Sequence, residues 1–340
     1  MIRVAINGFG RIGRAFARLL QNRGMDSTGS PQVELVAVND LGSLENLAYL
    51  LKYDTVYGRA MFDVAQQGEA LLVNGKEVKF FSEKDPANLP WNELDIDVVV
   101  ESTGFFTDYE KASAHISAGA KRVVITAPAT GESGATVLMG VNEKKLAKCK
   151  ISSNASCTTN AASPVVAILN EALGIEKAVL STVHAYTASQ FLVDGPSKKD
   201  LREGRAAAQN IVPTSTGAAI AIAQVYKPLQ GKFDGIALRV PIVAGSIADI
   251  TFIAKRATSK EEVNEILRGA AAAPRWDGIF KTTDEQLVSS DIVGEPYASI
   301  ADLSMTRVVD GNLVKVLAWY DNEIGYAESL VRHVLATANV

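Results

Sequence analysis

Residues 2–13 carry the feature that most limits how this chain can fold. Ile2-Arg3-Val4-Ala5-Ile6-Asn7 reads as a short buried strand, and Gly8-Phe9-Gly10-Arg11-Ile12-Gly13 follows at once. A helix is expected from about Arg11 to Asn22, because Ile12, Ala15, Phe16, Leu19 and Leu20 recur at helical spacing. Residues 24–31 form a loop rich in Gly, Ser and Pro, and Val33 to Asn39 is a second strand that ends at Asp40. This is a β-α-β unit, and it predicts a parallel sheet covered on both faces.

The glycine spacing has a physical meaning in that context. Gly8 permits the tight turn, Gly10 lets the backbone approach a pyrophosphate, and Gly13 lets helix and strand pack closely. The helix N-terminus then holds phosphates. Asp40 is placed to accept hydrogen bonds from ribose hydroxyls and to repel a 2′-phosphate, so NAD is favoured over NADP. Asp40 lies further along than the usual spacing, and the loop at 24–31 accounts for the excess. The alternative is a structural strand-helix turn with Asp40 as a loop cap.

Further strands are expected near 97–101, 122–126 and 136–139, with a helix near 109–118. The character changes after Cys157. A helix is expected from there to about Leu173, closed by Gly174 and kinked at Pro164, which cannot donate its hydrogen bond. Later strands near 178–184, 235–241, 248–254 and 313–320 have no helix between successive members in this reading and predict a mostly antiparallel sheet. Residues 323–338 read as a last helix, with Ala327, Leu330, Val331, Val334 and Leu335 on one face.

Composition narrows the partners. The 340 residues allow two domains, 47% are hydrophobic, and no apolar run approaches the ~18 residues of a membrane span. The chain opens directly on a strand pattern, so no signal peptide is expected. The net charge is −4 with no long basic run, which argues against nucleic acid or an anionic membrane. Two cysteines without Cys-x-x-Cys argue against a disulfide framework or a zinc site and fit a reducing compartment.

Cys157 lies in Ser153-Asn154-Ala155-Ser156-Cys157-Thr158-Thr159-Asn160. A thiol at a helix start feels unpaired N–H groups, so a lowered pKa and a better nucleophile are expected. Of three histidines, His184 at a strand end is the best partner, and His115 and His333 read as surface or satisfied residues. An imidazole beside a thiol can act as base and then as acid. The alternative is an inert buried Cys with an ordinary strand-end His. Cys149, between two lysines, reads as structural.

Thr214-Ser215-Thr216-Gly217 suggests a hydroxyl and backbone cradle for an oxyanion, just before the apolar run 218–223. Arg239 sits in an otherwise apolar strand, where a charge needs a partner or an anion. Arg202 and Arg205 are guanidinium candidates whose default is a solvated face, and Lys198 and Lys199 read as surface.

These pieces together resemble the phosphorylating glyceraldehyde-3-phosphate dehydrogenase family over nearly the whole chain. The resemblance rests on residues 5–14, residues 153–160, His184-Ala185-Tyr186-Thr187, Arg205-Ala206-Ala207-Ala208, residues 215–219 and Trp319-Tyr320-Asp321-Asn322-Glu323. It implies an α/β chain: a Rossmann-type NAD-binding domain with a parallel sheet, 1–156 plus a returning helix at 322–340. The remainder, 157–321, would be an α+β catalytic domain with a mostly antiparallel sheet.

The resemblance also implies roles. Cys157 would form a thioester that inorganic phosphate attacks, with His184 as base. Thr187 and Arg239 would hold the C3 phosphate of D-glyceraldehyde 3-phosphate, with Arg202 contributing. Ser156, Thr158, Thr216 and Gly217 would bind the attacking phosphate. Gly8, Phe9, Gly10, Arg11, Ile12, Gly13, Asp40, Lys84, Thr103, Gly104 and Thr126 would meet the cofactor. Asn322 would fix the nicotinamide carboxamide, with Tyr326 close by. Leu41 and Pro196 match the NAD-preferring pattern. A cytoplasmic homotetramer without nucleic-acid or membrane partners is expected. Ala161 stands where many relatives carry a second cysteine, Ile324 replaces a common Trp, and Lys84 replaces a common Arg. An erythrose-4-phosphate dehydrogenase and a non-catalytic binding protein on the same fold are the competing readings.

Overall fold

Alternate residues of the strand Ile2–Asn7 serve two different cores. Val4 and Ile6 enter one apolar cluster, while Ala5 enters another on the opposite face. The same alternation separates Val98 and Val100 from Val99 in the strand Val98–Glu101. A strand buried on both faces needs a continuous run of small and β-branched residues, and these strands supply one.

The structure is a computed structural model and describes residues 1–22, 32–198 and 200–340. The expected loop at 24–31 and Lys199 lie outside the described residues. Two compact units emerge: Met1–Ala155 with Ala327–Val340, and Ser156–Tyr326.

The first unit holds a nine-stranded sheet among the described residues. Its order is Ala135–Thr136, Ile151–Ser153, Arg122–Ile125, Val98–Glu101, Ile2–Asn7, Val33–Asn39, Lys76–Phe81, Ala70–Val73 and Val64–Gln67. The pairings are parallel except at the last two strands, which form antiparallel hairpins that the hydrophobic pattern did not predict. Ile2–Asn7 has Val33–Asn39 on one side and Val98–Glu101 on the other, so chain order reverses at its carboxyl end. Ligands of open parallel sheets bind at such a reversal. The helix Arg11–Asn22 contributes Phe16 and Leu20 to one cluster, and Leu330, Val331 and Val334 of the terminal helix join the same face.

Two expected elements are shorter than the pattern suggests. The strand near 136–139 is only Ala135–Thr136, because the Asn142 amide takes the Leu138 N–H and the Thr136 carbonyl out of the ladder. The helix near 109–118 divides into Tyr109–Ala112 and Ala114–Ser117. At the break Ser113 turns its hydroxyl onto the Glu110 carbonyl, a side-chain bond that competes with the helical ladder.

The second unit holds a seven-stranded sheet among the described residues. Its order is Val212–Ser215, Phe233–Val240, Ile175–Ala185, Ser246–Ala254, Leu313–Tyr320, Ser299–Val309 and Phe280–Thr283. It is mostly antiparallel. Ile175–Ala185 and Phe233–Val240 nevertheless pair in parallel. A parallel pair requires a crossover, and the helix Ala218–Val225 lies in it, where the pattern predicted none. The helix Cys157–Leu173 is almost wholly buried, runs uninterrupted through Pro164, and closes at Gly174 with φ 69°.

Candidate active site

The sequence Ser156-Cys157 becomes a helix start because Ser156 is a true N-cap. Its Oγ accepts the Thr159 N–H at 3.1 Å. Just before it, Ala155 adopts φ 53°, a left-handed conformation that a β-carbon disfavours. Tertiary bonds hold that turn. His333 Nδ1 donates to Asn154 Oδ1 at 3.0 Å, and Ser152 Oγ donates to His333 Nε2 at 2.8 Å. The Asn154 amide in turn gives a hydrogen bond to Ser329 Oγ. His333 is thus buried and satisfied, and burial pushes it down to about 3.

Cys157 Sγ lies 3.3 Å from His184 Nε2. The strand Ile175–Ala185 carries His184 as its next-to-last residue. The Phe233–Val240 strand pairs Arg239 in register with His184. Two neighbouring strands therefore present the imidazole and the guanidinium side by side. Val212–Ser215 pairs antiparallel next to the second of them, Val212 against Arg239 and Ser215 against Ile236, so Thr216 and Gly217 follow at the end away from Arg239 and lead into the helix Ala218–Val225.

His184 Nδ1 is 2.6 Å from the Ala185 carbonyl oxygen, an acceptor that suits an N–H on Nδ1, and its Nε2 faces the thiol. Arg239 Nη1 also points at that carbonyl, at 3.3 Å, and lies 2.7 Å from Nδ1. Burial, with the Arg239 charge beside it, holds His184 down to about 3. The Arg239 Nε is buried with no partner. A half-buried, half-satisfied guanidinium is a ready receptor for an anion.

The thiol departs from the helix-end expectation. Burial pushes its pKa above the ordinary value, although Arg239 and hydrogen bonds from Thr158 act the other way. Desolvation of the anion outweighs the helix end here. Thr158, expected on the attacking phosphate, has its hydroxyl 2.8 Å from the Tyr320 hydroxyl, which also reaches Thr182 at 2.8 Å. The Tyr320 ring stands edge-on to His184, with centroids 5.9 Å apart. Tyr320 and Ser246 are contributors that residue type alone did not signal. Ser246 Oγ accepts the Ala185 N–H and donates to Asn322 Oδ1, which leaves the Asn322 NH₂ group free to point elsewhere.

Other expected residues are less engaged. Arg202 is exposed and forks onto Asp200, and Arg205 pairs with Asp194. The Thr187 hydroxyl is exposed within reach of Ser189 and Gln190. Thr216 Oγ1 accepts the Ala218 N–H at the start of the following helix. Tyr326 is buried.

In the first unit, Gly8 has φ 93° and an added Cβ on it would strike the Ser102–Thr103 backbone. An added Cβ on Gly13 would lie 2.4 Å from the Gly8 carbonyl oxygen, whereas one on Gly10 would meet nothing within 4 Å. Asp40 accepts the Phe9 N–H at 2.7 Å and the Gly42 N–H at 2.8 Å, which binds the second strand end to the glycine turn. The open space over Gly10 beside a fixed carboxylate fits a dinucleotide. Arg11 pairs with Asp54, Ile12 packs against the core, Lys84 and Gly104 are exposed, and Thr126 is half-buried. Among the described residues no cluster of His, Cys, Asp and Glu is arranged to hold a metal, and no helix is long and apolar enough to cross a membrane. Cys149 and Cys157 are both free.

Comparison with known proteins agrees with this geometry. A family model described as glyceraldehyde 3-phosphate dehydrogenase, NAD binding domain, matches residues 2–109, and its C-terminal domain counterpart matches residues 156–322. The chain is 49% identical over 332 residues to glyceraldehyde-3-phosphate dehydrogenase 2 of Streptomyces avermitilis, covering 97% of this chain and 96% of that one. It is 50% identical over 332 residues to the glyceraldehyde-3-phosphate dehydrogenase of Mycolicibacterium smegmatis, with the same coverage. Identity to the Clostridium acetobutylicum enzyme of that name is 47% over 346 residues, covering 100% of this chain and 99% of the relative. With both domain models and near full-length relatives in agreement, the chain belongs to the glyceraldehyde-3-phosphate dehydrogenase family.

Proposed function

We propose that the chain oxidises D-glyceraldehyde 3-phosphate and phosphorylates it to 1,3-bisphosphoglycerate. The observation that carries this reading is the 3.3 Å approach of Cys157 Sγ to His184 Nε2, with Arg239 beside the imidazole. Cys157 Sγ adds to the aldehyde carbon as His184 Nε2 takes the thiol proton and passes it to the carbonyl oxygen, giving a hemithioacetal with His184 neutral again. The hemithioacetal hydroxyl then loses its proton to His184 as hydride leaves the carbon. NAD bound to the first unit supplies the hydride acceptor. The resulting thioester on Sγ keeps the energy of oxidation until inorganic phosphate attacks and frees the thiolate. The substrate's C3 phosphate on Arg239 and Thr187 draws the guanidinium charge away from His184 and raises its basicity. Ser156, Thr216 and Gly217 receive the attacking phosphate, and the backbone N–H of Thr158 serves where its hydroxyl is engaged.

In this reading the cofactor domain spans 1–156 with the helix at 322–340, and the catalytic domain spans 157–321. The working form is a cytoplasmic homotetramer, as the family resemblance implies. NADH formation by wild type and Cys157→Ser, with and without inorganic phosphate, tests the chemistry. Loss in the serine variant and dependence on phosphate are expected, since a serine hydroxyl is far less ionised than a thiol. Comparable activity in Cys157→Ser overturns the thiol mechanism. A phosphate-independent rate with a four-carbon aldehyde preferred points instead to erythrose-4-phosphate oxidation, and an inactive wild type points to a binding protein.

A further inference from the structure

Glu101 ends the strand Val98–Glu101, is 1% exposed, and takes no part in the chemistry above. Burying a carboxylate is costly unless donors surround it. Four donors do. Asn7 Nδ2 reaches Oε2 at 2.6 Å and His115 Nε2 reaches it at 3.0 Å. The Thr103 N–H reaches Oε1 at 2.9 Å, and the Thr103 hydroxyl donates to the same oxygen.

The orientation of each donor is itself set. Trp91 Nε1–H can only donate, and it lies 3.0 Å from His115 Nδ1. Nδ1 is therefore the acceptor, and the N–H of His115 sits on Nε2, facing Glu101. Asn39 Nδ2 donates to Asn7 Oδ1 at 2.6 Å, which turns the Asn7 NH₂ toward Glu101. Asn7, Asn39 and Glu101 are register partners, so they form a row across the carboxyl ends of three adjacent strands. That row lies where chain order reverses. What the carboxylate holds is the Ser102–Gly104 turn, whose backbone a side chain on Gly8 would strike at 2.6 Å. The glycine turn and the Thr103 turn thus have one relative position with no slack.

We propose that Glu101, oriented by His115 and Trp91, is a positioning residue for the cofactor, fixing the Thr103–Gly104 turn against the glycine turn. Glu101 acts through Thr103. The proposal rests on NAD binding to the first unit. Gln at 101 keeps the shape but can offer only one acceptor oxygen, and its NH₂ opposes Asn7 Nδ2. Adding Asp at 7 restores that contact with amide and carboxylate exchanged, while His115 Nε2–H still faces the new NH₂.

The test is calorimetric titration of the full-length protein with NAD, for wild type, Glu101→Gln, Asn7→Asp/Glu101→Gln and His115→Phe. Glu101→Gln is expected to weaken NAD binding about tenfold or more, as when a buried donor loses its acceptor. The double variant is expected to recover part of that loss, the Asn7 share but not the His115 share. At saturating NAD, the KM for triose phosphate and the rate of Cys157 alkylation by iodoacetamide should stay at wild-type values, a split that general loosening of the fold does not produce. If Glu101→Gln does not fold, His115→Phe removes one donor and keeps the carboxylate, and about a threefold loss is expected. Folded variants that bind NAD as wild type does overturn this inference alone. Wild type that does not bind NAD overturns the cofactor assignment and this inference with it.

Discussion

His184 and Arg239 are direct register partners on two parallel strands, and the guanidinium lies 2.7 Å from the imidazole Nδ1. The contact makes the proposed base, His184, subject to the charge of Arg239, the proposed anion receptor. Arg239→Gln removes that charge. The KM for triose phosphate is expected to rise about tenfold or more, the scale of a lost charge-assisted bond. His184 should become easier to protonate and move up from about 3, yet stay below 6.5, because burial is the larger cause of its depression. The acid limb of the rate profile then shifts to higher pH. An unmoved limb with an unchanged KM counts against the coupling.

Stability should depend on pH through two buried imidazoles. His184 and His333 are each held at about 3 in the folded chain, against an ordinary 6.5. Below pH 6.5 the unfolded chain takes up protons that the folded chain refuses. Stability is therefore fully present above pH 6.5 and is lost as pH falls toward about 3. Thermal unfolding followed from pH 8 to pH 4 should show a falling Tm. His333→Leu should lower Tm at pH 8, since Ser152 and Asn154 lose their partner, and should flatten its decline in acid. A flat Tm in wild type over that range contradicts the assignment.

The two later glycines of the turn should separate stability from binding. Gly13→Ala places a Cβ 2.4 Å from the Gly8 carbonyl oxygen and is expected to destabilise by about 1–3 kcal/mol. Gly10→Ala meets no protein atom within 4 Å, so Tm should hold while NAD affinity falls. Unfolding curves and NAD titration on the same samples check both, and a Gly10→Ala variant that binds NAD normally refutes the approach of the cofactor over Gly10.

Ala161 lies one helical turn beyond Cys157 and is fully buried. Residues four apart share a helix face. Ala161→Cys should trap oxidised Cys157 as a disulfide, so that activity after peroxide treatment returns more fully with reductant than in wild type. Equal recovery in the two proteins argues against it.

Much of the scaffold was readable in advance. The first strand, first helix, second strand and the Cys157–Leu173 helix have the bounds that periodicity and caps suggested, because each carries a local signal: a buried run, a glycine turn, or an N-cap with a closing glycine. What escaped was decided by single polar side chains. Asn142 cut one strand short, and Ser113 divided one helix. Of the two readings offered for His115 and His333, surface or satisfied, the second holds: both are fully buried and hydrogen-bonded, and which partners they meet was set by the tertiary fold.

The sequence alone determined the chemistry available: a thiol at a helix start, a strand-end imidazole, a guanidinium in an apolar strand and a glycine turn ahead of an acidic strand end. These are local facts of residue type and spacing. Only the tertiary structure decided which of them meet. Strand register placed Arg239 against His184, and the helix start carried Cys157 to 3.3 Å from the same ring. It also decided that the thiol is pushed up rather than down, because desolvation depends on everything packed around the sulfur, which no run of eight residues contains.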